Sequence, residues 1–159
     1  MLKQKGFSLI ELLIVVAIIL IIASIAIPNL LRARIAANEA SAVASVRTVN
    51  TAQISYNSAY PTVGYGASLT VLGPGASACT PTSATACLID SALASGTKSG
   101  YTFIVGNTSG TPVSTYTVVA NPLTVNQTGT RYFCSFADAV VRVGTAVLTS
   151  CDNTQVPLQ

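Results

Sequence analysis

The chain has 159 residues, of which 50% are hydrophobic and only 8% are charged, and its formal net charge is +3. This composition excludes an intrinsically disordered chain, because such chains are rich in charge and poor in apolar residues. It also disfavours a nucleic-acid partner, since the eight Lys and Arg residues are spread along the chain and form no basic patch. With no His and only five acidic residues, we expect neither an enzyme, nor a cofactor, nor a bound metal.

The N-terminal third of the chain holds a long apolar segment, residues 7–31, which follows the short basic stretch 1–6. Glu11 is the one charged residue within this segment. A helix rises about 1.5 Å per residue, so a helix over residues 7–31 is long enough to cross the roughly 30 Å hydrocarbon core of a membrane. Lys3 and Lys5 precede the segment, and the positive-inside rule therefore predicts that the bulk of the chain lies outside the cytoplasm.

An ordinary secretory signal peptide is the alternative interpretation, because the segment contains the small-x-small triplet Ser24-Ile25-Ala26. Two features favour a retained helix instead. A charge such as that of Glu11 costs roughly 2.5–3.5 kcal/mol near the centre of a membrane, and a disposable signal has no reason to carry it. The helical spacing of apolar residues also continues beyond Pro28. The residues that continue it are Ile35, Ala42, Val43, Val46 and Val49.

This pattern predicts one helix of about 50 residues, apolar all round in its first half and amphipathic over residues 32–58. The predicted polar faces of the second half contain Arg32, Arg34, Glu39 and Arg47. Pro28 lacks a backbone N–H, so we expect the helix to kink or loosen there. A half that is apolar all round is stable in a membrane or among neighbouring helices, and this segment is suited to both in turn.

The remaining chain is predicted to be a connecting loop over residues 59–100, followed by a sheet over 101–159. The helix is expected to end at Tyr60-Pro61, and a short helix is expected within 87–95. From Tyr101 the period of apolar residues changes to two. This period predicts strands over 101–106, 114–120, 131–136 and 139–143. The predicted fold class is therefore α+β, with the long helix packed on an antiparallel sheet of about four strands.

The four cysteines are even in number, which suits two disulfides in an oxidising compartment. Three pairings are possible, and we favour Cys79–Cys87 with Cys134–Cys151 because both close local loops. A zinc site of four cysteines is not expected, since the spacings lack the close pairs of such sites. The stretch Asp152-Asn153-Thr154 supplies too few oxygen ligands for calcium.

The stretch Gly6-Phe7-Ser8-Leu9-Ile10-Glu11 resembles the class III signal of type IV pilins and related pseudopilins. The resemblance implies that a prepilin peptidase cuts between Gly6 and Phe7 and methylates the new amino terminus of Phe7. It places Glu11 where this family carries its assembly glutamate, and Pro28 where members often have a helix-loosening proline. Leu20 departs from the pattern, because many members have Gly at that position.

The resemblance also implies the pilin fold and a function as a structural subunit of a type IV pilus, in particular a type IVa-like major pilin. Such a subunit forms a homo-oligomeric helical filament for adhesion, twitching motility or DNA uptake. The implied partners are the prepilin peptidase, an inner-membrane platform protein and cytoplasmic assembly ATPases. The implied location is the inner membrane for a single-pass precursor, then the extracellular pilus. The alternatives are a pseudopilin of a type II secretion system and a minor pilin.

In this interpretation Glu11 lies one helical turn, roughly 6 Å along the axis, from the new amine of Phe7. A carboxylate in an apolar medium needs a partner. Two partners are open to it, the amine of its own chain and the amine of a neighbouring subunit. A pair that forms in one axial register alone would set the stagger between subunits, which is the best-attested role of a buried polar pair.

Overall fold

The computed structural model describes residues 7–75 and 79–158, and the chain divides into two compact units, one up to Arg34 and one from Ile35. Helix α1 (Leu9–Ala59) has 51 residues and contains Pro28 within it. It ends one residue before Tyr60, as the Tyr60-Pro61 pair predicts, because a residue before proline is disfavoured in the α region. The sequence therefore predicts both the length and the end of this helix.

Two short helices follow in the second unit. Helix α2 (Leu69–Leu72) begins after Ser68, whose hydroxyl accepts a hydrogen bond from the Val71 amide at 3.4 Å. Helix α3 (Ser91–Ala94) lies within the stretch 87–95, where a short helix is predicted, and covers only part of it. It begins late because Cys87 has a φ of 59°, outside the helical region, and because Asp90 caps the first turn.

The sheet is antiparallel, and its six strands are neighbours in chain order. They are β1 (Thr97–Lys98), β2 (Tyr101–Ser109), β3 (Thr115–Pro122), β4 (Tyr132–Phe136), β5 (Arg142–Gly144) and β6 (Val156–Pro157). The prediction of an α+β fold is confirmed. The two strands beyond the predicted four are the edge strands β1 and β6, which have two residues each and are too short to show an alternation in the sequence. Strand β5 starts later than the predicted 139–143 because Ala139, with a φ of 60°, lies in the turn after β4.

The core of the second unit lies between the amphipathic part of α1 and the sheet. Ala42, Val46 and Val49 of the predicted apolar face are fully buried, so the face is confirmed. The sheet contributes alternate residues to this core, because successive side chains of a strand point to opposite faces of the sheet. The largest of these are Tyr101, Phe103, Tyr116 and Phe133.

Glu39, one of the residues of the predicted polar faces of α1, is buried in the structure, with only 5% of its surface exposed. The backbone amides of Thr130 and Arg131 donate to Glu39 Oε1 at 2.9 and 3.1 Å. The Thr130 hydroxyl donates to the same oxygen at 2.8 Å, and Arg131 Nε donates to Oε2 at 2.7 Å. Burial alone would raise the pKa of Glu39, but these donors outweigh it and lower the pKa below its usual value.

A second polar contact ties α1 to the sheet through Asn50, which is buried in the core. The Tyr116 hydroxyl donates to Asn50 Oδ1 at 3.1 Å. Asn50 Nδ2 donates to Ser135 Oγ at 2.9 Å and to the Ala139 carbonyl at 3.2 Å. All these groups are hydrogen-bonded in the present arrangement, so the network favours this register of the helix against β3 and β4.

We expect Asn50→Ala to lower the free energy of unfolding by about 2–3 kcal/mol, because Tyr116 and Ser135 lose a buried partner. The measurement is denaturant unfolding of the full chain in detergent micelles. Thr48→Ala is the matched control, since Thr48 is exposed and its hydroxyl donates, as far as the described residues go, to the Ala44 carbonyl of its own helix alone. Equal losses in the two variants would contradict the role given to this network.

Candidate functional site

The most unusual surface of the molecule is the apolar part of α1 in the first unit. Its large apolar side chains between Phe7 and Leu31 are all exposed, from 43% at Leu31 to 82% at Phe7. Among the described residues, α1 is the one helix long and apolar enough to cross a membrane. An apolar surface of this size is unfavourable in water, so it is expected to be covered by lipid or by other apolar chains. Residues 7–31 are therefore the candidate site.

Glu11 lies in the first turn of α1, at the end of this surface. Its Oε2 accepts a hydrogen bond from the backbone amide of Ser8 at 3.0 Å. Ser8 directly precedes the helix and Glu11 is its third residue, so the contact is one half of a capping box. The spacing Ser-x-x-Glu is a signal in the sequence for this cap, and the prediction of Glu11 as an assembly residue did not use it.

The cap uses one oxygen of the Glu11 carboxylate and leaves the other, Oε1, able to accept a further hydrogen bond. Within residues 7–75 and 79–158, Oε1 of Glu11 has no hydrogen-bond partner, and neither oxygen is in an ion pair. The predicted partner is the amine that cleavage between Gly6 and Phe7 would create. Gly6 lies outside the described residues, so the cleavage site and the methylation of Phe7 stay predictions.

Pro28 lies inside α1, towards the end of the apolar surface. It cannot donate a hydrogen bond to the carbonyl of Ser24, one turn earlier. The Ser24 hydroxyl donates to the Ile21 carbonyl at 2.9 Å. Helix α1 continues through Pro28, and its loosening there stays a prediction.

The second unit carries the two disulfides of the favoured pairing. Cys79 is joined to Cys87 and Cys134 to Cys151, with Cα atoms 6.1 and 5.7 Å apart. Cys134 and Cys151 are buried and pack with Val119 of β3. The second disulfide therefore attaches the C-terminal segment to the middle of the sheet.

We expect the double variant Cys134→Ala/Cys151→Ala to lose about 3 kcal/mol of unfolding free energy. Cys79→Ala/Cys87→Ala is the matched control and should lose less, because its cysteines are 8 rather than 17 residues apart. The measurement is denaturant unfolding of the full chain in micelles. A larger loss of unfolding free energy in the control would show that Cys79–Cys87, not Cys134–Cys151, is the disulfide that stabilises the fold more.

The C-terminal loop around Asp152 is organised by its own contacts. Asp152 Oδ1 accepts a hydrogen bond from the Thr154 amide at 2.8 Å, and the Asp152 amide donates to Gln155 Oε1 at 2.7 Å. Hydrogen bonds from the hydroxyl and then the amide of Thr154 to the Asp152 carboxylate lower the pKa of Asp152. No cluster of three potential metal ligands occurs in the part of the chain that the structure describes.

Comparisons with known proteins concentrate on the N-terminal segment. Residues 1–27 match the family model of the prokaryotic N-terminal methylation motif. Over 37 residues the chain is 65% identical to the type IV wide pilus major component PilA4 of Thermus thermophilus, covering 23% of this chain and 28% of that protein. Over 54 residues it is 45% identical to the type IV major pilin protein PilA of Myxococcus xanthus, covering 34% and 24%.

A third relative extends further into the chain. Over 75 residues the chain is 39% identical to the type II secretion system core protein G of Vibrio cholerae, covering 45% of this chain and 51% of that protein. The chain thus spans between 24% and 51% of the length of these curated relatives. No match to a solved structure was found. In its N-terminal segment the chain is thus similar to type IV pilins and to a type II secretion core protein, and residues 1–27 match the prokaryotic N-terminal methylation motif.

Proposed function

We propose that the chain is a structural subunit of a type IV pilus, held in the inner membrane as a precursor and then assembled into a helical filament of identical copies. The observation that carries this proposal is the exposed apolar surface of residues 7–31. Burial of one large aliphatic side chain contributes roughly 1.5–3 kcal/mol. A surface with so many of them is stable under lipid or under neighbouring copies, and a filament subunit needs first the one and then the other.

Glu11 gives this apolar surface a direction and a register. Its Oε2 accepts a hydrogen bond from the Ser8 amide, while its Oε1 has no partner among the residues that the structure describes. After cleavage, the amine of Phe7 in a neighbouring copy is a partner of opposite charge for this oxygen. Apolar packing alone allows many axial positions, whereas a charge pair inside an apolar core allows few. Glu11 therefore selects the stagger between subunits.

The route to the filament follows from the motif at residues 1–27. A prepilin peptidase would remove residues 1–6 and methylate Phe7, and a membrane platform protein with assembly ATPases would add the subunit to the filament base. The role is structural and not catalytic. The extracellular filament would serve adhesion, twitching motility or DNA uptake.

A pseudopilin of a type II secretion system is the second candidate. The match to core protein G of Vibrio cholerae covers 75 residues, more than the 37 and 54 residues of the two pilus proteins. The two candidates differ in where the subunit ends up, because a pilus subunit is exposed on the cell surface and a pseudopilin remains in the envelope. A minor pilin would also reach the surface, but in small amounts.

The experiment expresses the chain in a bacterium that has pilus-assembly machinery but lacks its own major pilin. We expect filaments by negative-stain microscopy, with this chain as the principal protein of the sheared surface fraction. A chain that is processed but stays in the membrane fraction would contradict the pilus assignment and favour the pseudopilin. A trace of the chain in filaments built of another subunit would favour a minor pilin.

A further inference from the structure

We propose that Arg32 and Arg34 bind the anionic headgroups of phospholipids at the outer surface of the membrane that the precursor spans. This inference rests on the proposed function in one respect, namely that residues 7–31 cross a membrane. It adds a specific lipid partner and assigns a role to two residues that the filament proposal does not use.

The first observation concerns charge pairing. The ion pairs of the described residues join Lys98 to Asp90, Arg131 to Glu39, and Arg142 to Asp138. The Lys and Arg residues of the described chain that remain without an acidic partner are Arg32, Arg34 and Arg47. All three are exposed and lie on α1. Charges that the fold itself does not pair are available to an external anion.

The second observation is position. Arg32 directly follows the apolar surface, which ends at Leu31. A helix from residue 7 to 31 is about 37 Å long, somewhat more than the roughly 30 Å hydrocarbon core, so it crosses with a modest tilt. Arg32 and Arg34 then lie in the headgroup layer. Arg47 follows Arg34 by 13 residues in the chain and therefore does not adjoin the apolar surface.

The third observation is the surface beside Arg34. Ile27, Leu30 and Leu31 line a shallow recess of about 260 Å³ together with Arg34. Their spacing places these residues on one face of α1. A recess lined by apolar side chains and one arginine suits a phospholipid, whose acyl chain would contact the apolar residues while its phosphate binds the guanidinium. Arginine is well adapted to this contact, because its planar donors bind phosphate in pairs.

Arg32 and Arg34 do not compete for one phosphate. Residues two apart on a helix point about 200° away from each other around the axis. The two guanidinium groups therefore reach headgroups on opposite sides of the helix, and each contributes separately. A basic residue near an anionic membrane surface contributes about 1 kcal/mol, which corresponds to roughly a fivefold preference for anionic lipid.

A carboxylate from another copy is a poorer partner in the membrane. Glu11 is one of two acidic residues in the described chain outside the three ion pairs, the other being Asp152. Glu11 precedes Arg32 by 21 residues, or about 31 Å along the helix. In a copy inserted in the same direction, Glu11 is therefore at the opposite membrane surface. The lipid phosphate is the anion that is present at the level of the arginines.

The contact also bears on the direction of export. Cleavage after Gly6 would remove Lys3 and Lys5, which flank the apolar surface on its inner side. The basic residues that flank the surface in the mature chain are then Arg32 and Arg34, on its outer side. Cleavage would thus leave a subunit whose basic side chains beside the membrane lie on its outer side, while the new amine of Phe7 on its inner side is the proposed partner of Glu11.

The test uses the absence of Trp from the chain, because a Leu30→Trp variant then has a single indole beside the arginines. The full chain is reconstituted in phosphatidylcholine vesicles that contain either brominated phosphatidylglycerol or brominated phosphatidylcholine. Bromine quenches an indole in contact with it, so the ratio of quenching gives the relative affinity for the anionic lipid. We expect a preference of about fivefold or more, abolished by Arg32→Gln/Arg34→Gln and reduced but still present in Arg32→Lys/Arg34→Lys, which keep the charge and lose the paired donors.

Arg47→Gln is the matched control and should leave the preference unchanged. The inference is overturned by equal quenching from both lipids, or by a loss in Arg47→Gln as large as in the double variant. If the quenching preference falls when the protein is diluted with more lipid, the arginines contact a second copy of the chain rather than a headgroup. Competition by inorganic phosphate beyond that of sodium chloride at matched ionic strength would assign them to a free anion. Either result rejects the lipid site.

The results that would overturn the filament proposal differ from those that would overturn the lipid site. Cells that form no filaments would overturn the proposed function and leave the lipid preference measurable in vesicles. An indole that neither lipid quenches would show that residues 7–31 are not in the membrane, and it would overturn both. Normal filaments with no lipid preference would overturn the present inference alone.

Discussion

Glu11→Ala is expected to leave membrane insertion and cleavage intact while reducing surface filaments roughly a hundredfold. The reason is the loss of the register pair, because removal of one member of a buried charge pair costs about 3–5 kcal/mol and leaves the other charge unpaired. The measurement compares filaments by electron microscopy with processed subunit in the membrane fraction. Normal filament numbers in this variant would remove the register role that we give to Glu11.

The variant Glu11→Gln distinguishes the effect of the Glu11 charge from its effect as a helix cap. Gln at the third helical position still accepts the hydrogen bond that the Ser8 amide now donates to Glu11 Oε2 at 3.0 Å. If the charge sets the register, Glu11→Gln should be nearly as poor in filaments as Glu11→Ala. If Glu11→Gln instead forms normal filaments, the role of the residue is to begin the helix, and the charge pair is not needed.

The second large effect is expected in the second unit, where Glu39→Ala should lower the free energy of unfolding by about 3–5 kcal/mol. The substitution leaves the amides of Thr130 and Arg131 without the carboxylate that now accepts from both. Glu39→Gln should cost less, because its carbonyl oxygen can still accept the Thr130 amide. Denaturant unfolding of the full chain in micelles measures both variants.

Asp90→Asn is the control for Glu39. The Lys98–Asp90 pair is exposed, with 34% and 48% of the side chains accessible, and exposed pairs contribute about 0.2–1 kcal/mol. Asn also serves as the N-cap that Asp90 supplies to α3. A loss in Asp90→Asn equal to that in Glu39→Ala would contradict the importance of burial at Glu39.

Acidification should test Glu39 independently. Because its pKa is lowered in the folded chain, Glu39 contributes stability that is present above its unfolded pKa of 4.5 and is lost as the pH falls through the folded value. Asp138, whose pKa is also lowered because hydrogen bonds from Arg142 outweigh its partial burial, acts in the same direction. We therefore expect unfolding free energy to fall below about pH 4.5. The pH dependence should be weaker in Glu39→Ala, and an unchanged dependence would contradict the assignment.

The sequence predicts the parts of this fold that repeat a local pattern. The long helix, its end at Tyr60-Pro61 and the apolar face through Ala42, Val46 and Val49 follow from spacing alone. Strands β2 and β3 follow from alternation, since both are at least eight residues long. These elements are predictable because neighbours in the chain decide them.

Contacts between distant residues are not predictable in this way. Glu39 has the sequence context of an exposed helical residue, and Thr130, which buries it, lies 91 positions away. The two-residue strands β1 and β6 exist because β2 and β5 offer them a partner edge. The capping contact of Glu11 is a different case, because Ser8 and the spacing Ser-x-x-Glu were available in the sequence.

The most direct test of the whole account is the intact mass and N-terminal sequence of the chain in protein sheared from the cell surface. The account predicts a chain that begins at methylated Phe7 and is four hydrogens lighter than its reduced form, as its two disulfides require. A chain that begins near Ile27 or Pro28 would show ordinary signal cleavage. That result would remove residues 7–26 from the mature protein and contradict the filament assignment.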